Sequence, residues 1–324
     1  MSRHVVFGTG QVGRLLAAQL VDLGHDVIVV NRSGRGTTPG VRTVAGDATD
    51  TAFTGKVTTG ADVVYFCLNA ASYGRWAEDF PPLQRGVLHG AQTAGARLVV
   101  LDNLYSYGLT AGQSLSESSP VAPASTKAAV RAAMTDELLK AHRDGRVEVA
   151  IGRASDFFGP GTRLSALGDT VFGTALTGRT AQVMGNPDLL HSYSYTPDVA
   201  AGLLTLGTRN GSTGTVWHLP AAPPRTTRQI VTDIYALTGH RPKMMAAGKT
   251  ALRLIGLMKP AMREYLHTLY QFTNPWVVDD DKYQSHFGAP ATNLDAALAT
   301  TLQWYRQQAE SKAPARQQIS ASTR

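Results

Sequence analysis

The chain has 324 residues, 43% of them hydrophobic and 17% charged, with a formal net charge of +7 and a single cysteine. That composition excludes a disordered chain and gives enough length to bury a sizeable core, while one cysteine excludes an intrachain disulfide and a cysteine-rich metal site. The Lys and Arg residues are scattered with no run of five, so a nucleic-acid tract is not expected, and no apolar span reaches 18 residues, so no membrane helix is expected either. A soluble, cytoplasmic protein with a small-molecule substrate is the expectation, and a homodimer is left open.

The first predicted strand, at 4–8, runs into Gly8, Thr9, Gly10, Gln11, Val12 and Gly13 and then into a helical pattern over 11–23 carrying Leu15, Leu16, Leu20 and Leu23. A second apolar run at 26–30 closes the unit. Such a glycine turn brings backbone N–H groups to a pyrophosphate at the positive end of a helix. Gly8 permits the tight turn, Gly10 removes a side chain where the phosphate approaches, and Gly13 lets helix and strand pack. A protein built for NAD usually places an acid at the end of the second strand. Here Asn31 stands there, followed by Arg32, Ser33 and Arg35. An arginine grips a 2′-phosphate through charge-assisted hydrogen bonds of roughly 1.5–3 kcal/mol each. The expected cofactor is therefore NADP(H).

Further strands are predicted at 41–45, followed by Asp47 and Ala48, and at 62–68, ending in Cys67, Leu68, Asn69 and Ala70. Cys67 reads as a small core residue. Helical patterns at 83–95 and 124–143 alternate with strands at 97–102 and 147–152. The alternation predicts an α/β fold of Rossmann type, a doubly wound parallel sheet with ligands beyond the carboxyl ends of its strands. After residue 160 helical patterns fall at 163–176, 197–207, 226–238, 248–270 and 293–308, with one strand at 214–219. The expected division is a nucleotide-binding domain over 1–160, re-entered around 190–220, a smaller and mostly helical substrate lobe over 161–306, and a polar, disordered tail over 307–324.

Five motifs in this order resemble the extended and atypical short-chain dehydrogenase/reductase superfamily, which includes the NAD(P)-dependent epimerases and dehydratases. They are the glycine turn at 8–13, GDATD at 46–50, LDNLYSYG at 101–108, RASDFFGPG at 153–161 and SYSYTPDVA at 192–200. The resemblance implies that Asp47 and Ala48 meet the adenine. It also implies a Ser or Thr at the end of the fifth strand and a Tyr-x-x-x-Lys on the next helix, the Tyr moving the substrate proton. This chain departs from that pattern. Asn103 stands at the Ser position, and the best superposition puts Lys127 at the Tyr position and Arg131 at the Lys position.

Substitutes for the proton relay are then Lys127, if the cleft depresses its pKa, and Tyr105 on the loop after the fifth strand. Arg131 replaces the ribose cation, and Asn103 polarises a carbonyl through its amide. Tyr107 is expected to pack, while Tyr73, His191 and Tyr195 are further candidates for the pocket. Trp217, Tyr265, Tyr270, Phe272 and Trp276 look like a substrate wall. Three functions stay open: an NADP(H)-dependent oxidoreductase of a small carbonyl, enone or sugar-derived substrate; a catalytically silent NADP(H) sensor; and a non-redox isomerase or lyase of the same fold.

Overall fold

The computed structural model describes residues 1–36, 38–70, 75–109, 111–258 and 266–312, with the backbone alone over 254–258 and at 312. Seven strands form one parallel sheet: β1 (Arg3–Phe7), β2 (Asp26–Asn31), β3 (Arg42–Ala45), β4 (Val63–Phe66), β5 (Arg97–Asn103), β6 (Val149–Ala154) and the late β11 (Thr215–His218). Their order is β11-β6-β5-β4-β1-β2-β3, so the strand order reverses between β1 and β4.

Side chains alternate between the faces of the sheet, and both faces are covered, which is why the strands read as unbroken apolar runs. Val5, Phe7, Leu98, Val100 and Ile151 face one layer of helices, and Val6, Val99 and Ala150 face the other. The first layer holds α2 (Thr51–Val57), α3 (Trp76–Ala94) and α4 (Thr126–Arg143). The second holds α1 (Gln11–Asp22) and α5 (Thr196–Thr208), which pack together under Leu16, Leu20, Leu203 and Leu206. Helix α3 starts seven residues before the predicted boundary, because its Pro81 and Pro82 lie inside the helix instead of ahead of it.

Of the remaining elements, α9 (Asp281–Phe287) packs on β11 through Tyr283 and Phe287, and the others build the lobe: β7 (Asp156–Phe158), β8 (Ala181–Met184), β9 (Leu190–His191), β10 (Tyr193–Tyr195), β12 (Arg225–Thr226), α6 (Thr227–Thr238), β13 (Met244–Ala247), α7 (Lys249–Met258), α8 (Tyr270–Thr273) and α10 (Leu294–Lys312). Its own core contains Phe158, Phe172, Ile234, Leu298 and Tyr305. It is less helical than its sequence pattern suggests. Three two-stranded ladders, β10-β7, β12-β9 and β13-β8, run through it. The helix predicted at 163–176 is a single π-helical turn at Gly168–Gly173. The pattern at 248–270 divides into α7 and α8, and α10 runs through the first residues of the predicted tail to Lys312. No helix among the described residues is long and apolar enough to cross a membrane.

Beneath the amino-terminal edge of the sheet, fully buried His4 is hydrogen-bonded to the hydroxyls of Ser2 (2.8 Å) and Tyr65 (3.2 Å). Burial first, and neighbouring His25 second, push His4 from its ordinary 6.5 down to about 4. The unfolded chain therefore takes up this proton as pH falls through 6.5, while the folded chain resists until about 4. Folding stability is expected to drop by about 2–3 kcal/mol between pH 7 and pH 4.5 from this residue. Urea denaturation at the two pH values, compared with His4→Asn, checks it, the variant showing a flatter dependence.

Candidate active site

At the carboxyl end of the sheet, β1 enters the glycine turn with Gly8 at φ +105, its N–H donated to the Val30 carbonyl at 2.9 Å. A Cβ on Gly8 would lie 2.6 Å from the Cys67 carbonyl oxygen, and one on Gly13 would lie 2.0 Å from that of Gly8. Gly10 differs: a Cβ there meets nothing within 4 Å. Gly10 also caps α1 with no side-chain hydrogen bond, and no acid sits in the helix's first turn. The unsatisfied N–H groups of the helix start thus face open space and carry its positive dipole end. Those are the requirements of a bound pyrophosphate, and the turn fits one.

Asn31 ties the neighbouring loop together. Its Nδ2 donates to Thr9 Oγ1 (3.1 Å) and the Arg35 carbonyl (3.0 Å), and its Oδ1 accepts from the N–H groups of Ser33 (3.0 Å) and Gly34 (2.8 Å). Arg32 projects from this loop, exposed, with no carboxylate in ion-pair distance among the described residues. Asp47 accepts from the Thr49 N–H and hydroxyl, both at 2.9 Å. Those bonds hold its carboxyl below the usual range, and Arg32 adds to the effect. Ala48 is buried against α3, whose Gly86 leaves no room for a Cβ, 1.9 Å from the Ala48 carbonyl oxygen.

A cleft of about 560 Å³ opens over these strand ends. Gly10, Gln11 and Val12 line it from α1, Leu68 and Asn69 from the end of β4, and Asn103 and Tyr105 from the end of β5. The lobe closes it with Leu164, Met184 and Phe272. Ala70 follows Asn69, whose Oδ1 accepts its N–H at 2.9 Å. Tyr73 lies outside the described residues.

The floor of the cleft is ionic. Asp102, 4% exposed, accepts from Arg131 Nε on Oδ1 (2.7 Å) and from Arg153 Nε on Oδ2 (2.9 Å). Arg131 Nη2 pairs with the same Oδ1, and Thr135 Oγ1 donates to Oδ2 at 3.2 Å. Burial alone would raise the Asp102 pKa, but the two guanidiniums outweigh it and hold the carboxyl below the usual range. Phe80 lies 4.6 Å from the Arg131 guanidinium and Tyr107 lies 4.8 Å from that of Arg153. Arg131 is thus held by Asp102 and not free to move as a lone ribose cation. One donor remains: its Nη1 is buried without a partner on a residue that lines the cleft.

The other sequence candidates divide. Asn103 lines the cleft while its Oδ1 accepts the Tyr105 N–H at 3.0 Å, so it also shapes the turn. Tyr105 lines it too, its ring stacked on Trp76 at 5.9 Å. Tyr107 is buried, and its hydroxyl pairs with His218 Nε2 at 2.8 Å. His218 Nδ1 donates to the Asp279 carbonyl (2.9 Å), which leaves Nε2 as the acceptor for Tyr107. Lys127 is buried, its Nζ 5.9 Å from the Trp76 ring, and is not one of the cleft-lining residues. Burial pushes the Cys67 thiol up to about 12, which keeps it protonated in the cleft wall.

Among the four described aromatic residues read as a substrate wall, Phe272 is the one on the cleft; Trp217 packs against Phe287 and Tyr283 at the sheet edge, and Trp276 is fully buried beside Tyr270. Tyr265 lies outside the described residues. His191 and Tyr195 are buried in the lobe, but His191 Nε2 donates to Asp156 Oδ2 at 2.9 Å, and Asp156 lines the cleft. Asp102, Arg153, Ser155 and Asp156 fall within the strand-end segments 102–108 and 153–159, where the ligand site is expected, but none of them had been given a role of its own. The first two carried a signal: charges inside otherwise apolar strands must be paired.

The reversal of strand order, the glycine turn and the cleft above them define a Rossmann-type α/β protein with a cleft at the carboxyl edge of the sheet, where ligands bind in such folds. The model of the NAD dependent epimerase/dehydratase family matches residues 5–219, and the chain belongs to that family. Similar solved structures include a double mutant of the dTDP-glucose 4,6-dehydratase DesIV from Streptomyces venezuelae with NAD bound, at 22% identity and a TM-score of 0.76, covering 95% of this chain and 97% of that one. A dTDP-glucose 4,6-dehydratase from Bacillus anthracis in complex with NAD aligns at 16% identity and a TM-score of 0.79, covering 96% and 98%. The UDP-glucose 4-epimerase of Thermotoga maritima with UDP-glucose aligns at 16% and 0.78, covering 95% and 99%. At these identities the likeness is one of fold. No curated protein matches the chain.

Removing the shared anion of the floor leaves two guanidiniums buried without a counter-charge. Asp102→Ala is expected to cost about 3–5 kcal/mol of folding stability, measured by urea denaturation.

Proposed function

We propose that the protein is an NADP(H)-dependent oxidoreductase acting on a small carbonyl, enone or sugar-derived substrate. The observation that carries this reading is the cleft itself, where the open helix start at Gly10, the ends of β4, β5 and β6, and the lobe meet around one space. A nicotinamide dinucleotide, when bound, supplies or accepts a hydride, and the protein has to hold and orient it. The turn at 8–13 would take the pyrophosphate, Asp47 and Ala48 the adenine, and Leu68, Asn69 and Ala70 the chain side of the nicotinamide half. The unpartnered Arg131 Nη1 would donate to a ribose hydroxyl. Asn103 and Tyr105 would position the substrate carbonyl.

The choice of NADP(H) rests on the absence of an acid at Asn31 and on the exposed Arg32. The similar solved structures favour a second reading, in which the substrate is a nucleotide-linked sugar; they hold NAD or UDP-glucose. The lost Tyr-x-x-x-Lys pair also keeps a silent sensor or a non-redox isomerase or lyase in play.

Arg32→Asp is expected to weaken NADPH binding at least about tenfold and NADH binding by less than about twofold, read by fluorescence titration. Equal losses remove the 2′-phosphate assignment. NADPH deuterated at C4, incubated with the protein and a small-molecule extract, is expected to yield a protein-dependent deuterated product by mass spectrometry. Tight binding without that product favours the sensor or the non-redox enzyme.

A further inference from the structure

Five ionisable side chains line the cleft among the described residues: Cys67, Asp102, Tyr105, Arg131 and Asp156. Three of them do not exchange protons near neutrality. Cys67 is pushed up to about 12 by burial. Both carboxylate oxygens of Asp102 are taken by guanidiniums, and Arg131 keeps its proton in any protein. Tyr105 and Asp156 remain.

Asp156 opens β7, directly after β6, with its side chain 21% exposed. Its Oδ2 accepts the Nε2–H of His191 at 2.9 Å. His191 is 3% exposed and clamped from behind: its ring stacks on Phe272 at 4.8 Å and 8°, and lies 4.4 Å from the ring of Tyr193. A fixed imidazole of this kind sets the carboxylate's direction, as in other histidine–carboxylate pairs, here with the carboxylate on the reacting side. The preceding residue adds an independent observation. Ser155 is 7% exposed, lines the same cleft, and its Oγ is buried without a partner, although its N–H is bonded to Ser194 Oγ at 2.9 Å. A buried hydroxyl left unsatisfied calls for a ligand atom.

The geometry points to Ser155 and Asp156, with His191 behind them, as the acid–base site of this cleft, acting on one substrate oxygen in place of the relay that α4 lacks. This rests on the oxidoreductase reading. In the oxidative direction the O–H bond of the substrate alcohol breaks, its proton passes to an Asp156 carboxylate oxygen, and its electron pair forms the carbonyl as the carbon gives up hydride to the oxidised nicotinamide dinucleotide. In reduction the protonated Asp156 returns the proton to the same oxygen. Ser155 donates a hydrogen bond to that oxygen, and His191 is a positioning residue.

Asp156→Asn tests this, because the amide still accepts from His191 and removes proton exchange alone. In the deuterated-NADPH experiment the variant is expected to lose at least about 100-fold of the labelled product, and Ser155→Ala about tenfold, with NADPH affinity within about twofold of wild type. His191→Gln, which keeps an N–H donor, is expected to retain more product than His191→Phe. A readout free of turnover accompanies them. Proton NMR of the full chain without cofactor is expected to show a slowly exchanging, downfield histidine ring N–H that Asp156→Ala abolishes. Label retained within about threefold in Asp156→Asn, label lost in Tyr105→Phe with Asp156→Asn unaffected, or no such proton in wild type each overturns the assignment. Absence of label in the wild type removes the oxidoreductase reading, and the proton step with it.

Discussion

The site is organised around one carboxylate that cannot leave its place. Asp102 sits inside the sheet with Arg153 as its register partner on β6 and Arg131 reaching down from α4. Buried charges of this kind are tolerated only when each finds its counterpart and its hydrogen bonds. The requirement sets the rotation of α4: Lys127, Arg131, Met134, Leu138 and Ala141 form one buried face, ionic near the cleft and apolar below it. It also reaches the turn after β5. Arg153 lies over Tyr107, Tyr107 bonds His218, and His218 bonds the Asp279 carbonyl.

The family's helix pattern helps to explain why this cluster exists. Positions four apart on α4 look the same way, toward the end of β5. The resemblance read from the motifs puts Lys127 and Arg131 at the Tyr and Lys positions of that pattern. A guanidinium at the second place has more donors than an ammonium. Asp102 takes Nε and Nη2, and Nη1 is left over for the cleft. An arginine there therefore ties α4 to β5 and still leaves one donor on the cleft. On the proposal made above, proton exchange comes instead from the segment after β6, where Ser155 and Asp156 line the same cleft.

How legible all this is in the sequence depends on length scale. Strands buried on both faces make apolar runs that stand out, so β1 to β6, the late β11 and the glycine turn were readable within a few residues. Helix α2 was not; its seven residues carry little periodicity, and the informative signal was Asp50, which accepts from the N–H groups of Ala52 and Phe53. In the lobe, strands of two or three residues such as β9 and β10 are shorter than any period can reveal. The cleft followed the same rule. Asn103 and Tyr105 were found because they adjoin a legible strand. The Asp156–His191 pair, 35 residues apart in the chain, exists only through the pairing of β7 with β10, which no local pattern announces.

The bond from Tyr107 to His218 has a consequence for how the molecule is made. The partners are 111 residues apart, and the Tyr270 hydroxyl that donates to the Tyr105 carbonyl at 3.2 Å is 165 residues away. Loop-closure entropy delays such long-range contacts, and domains form as units in the order of synthesis. As the chain is synthesised, the strands up to β6 are made before α5 and β11, which cover one face and one edge of the sheet. The turn that carries Tyr105 and Tyr107 waits for partners from the last quarter of the chain, Tyr270 and, through His218, Asp279, so this part of the cleft wall is among the last to be completed.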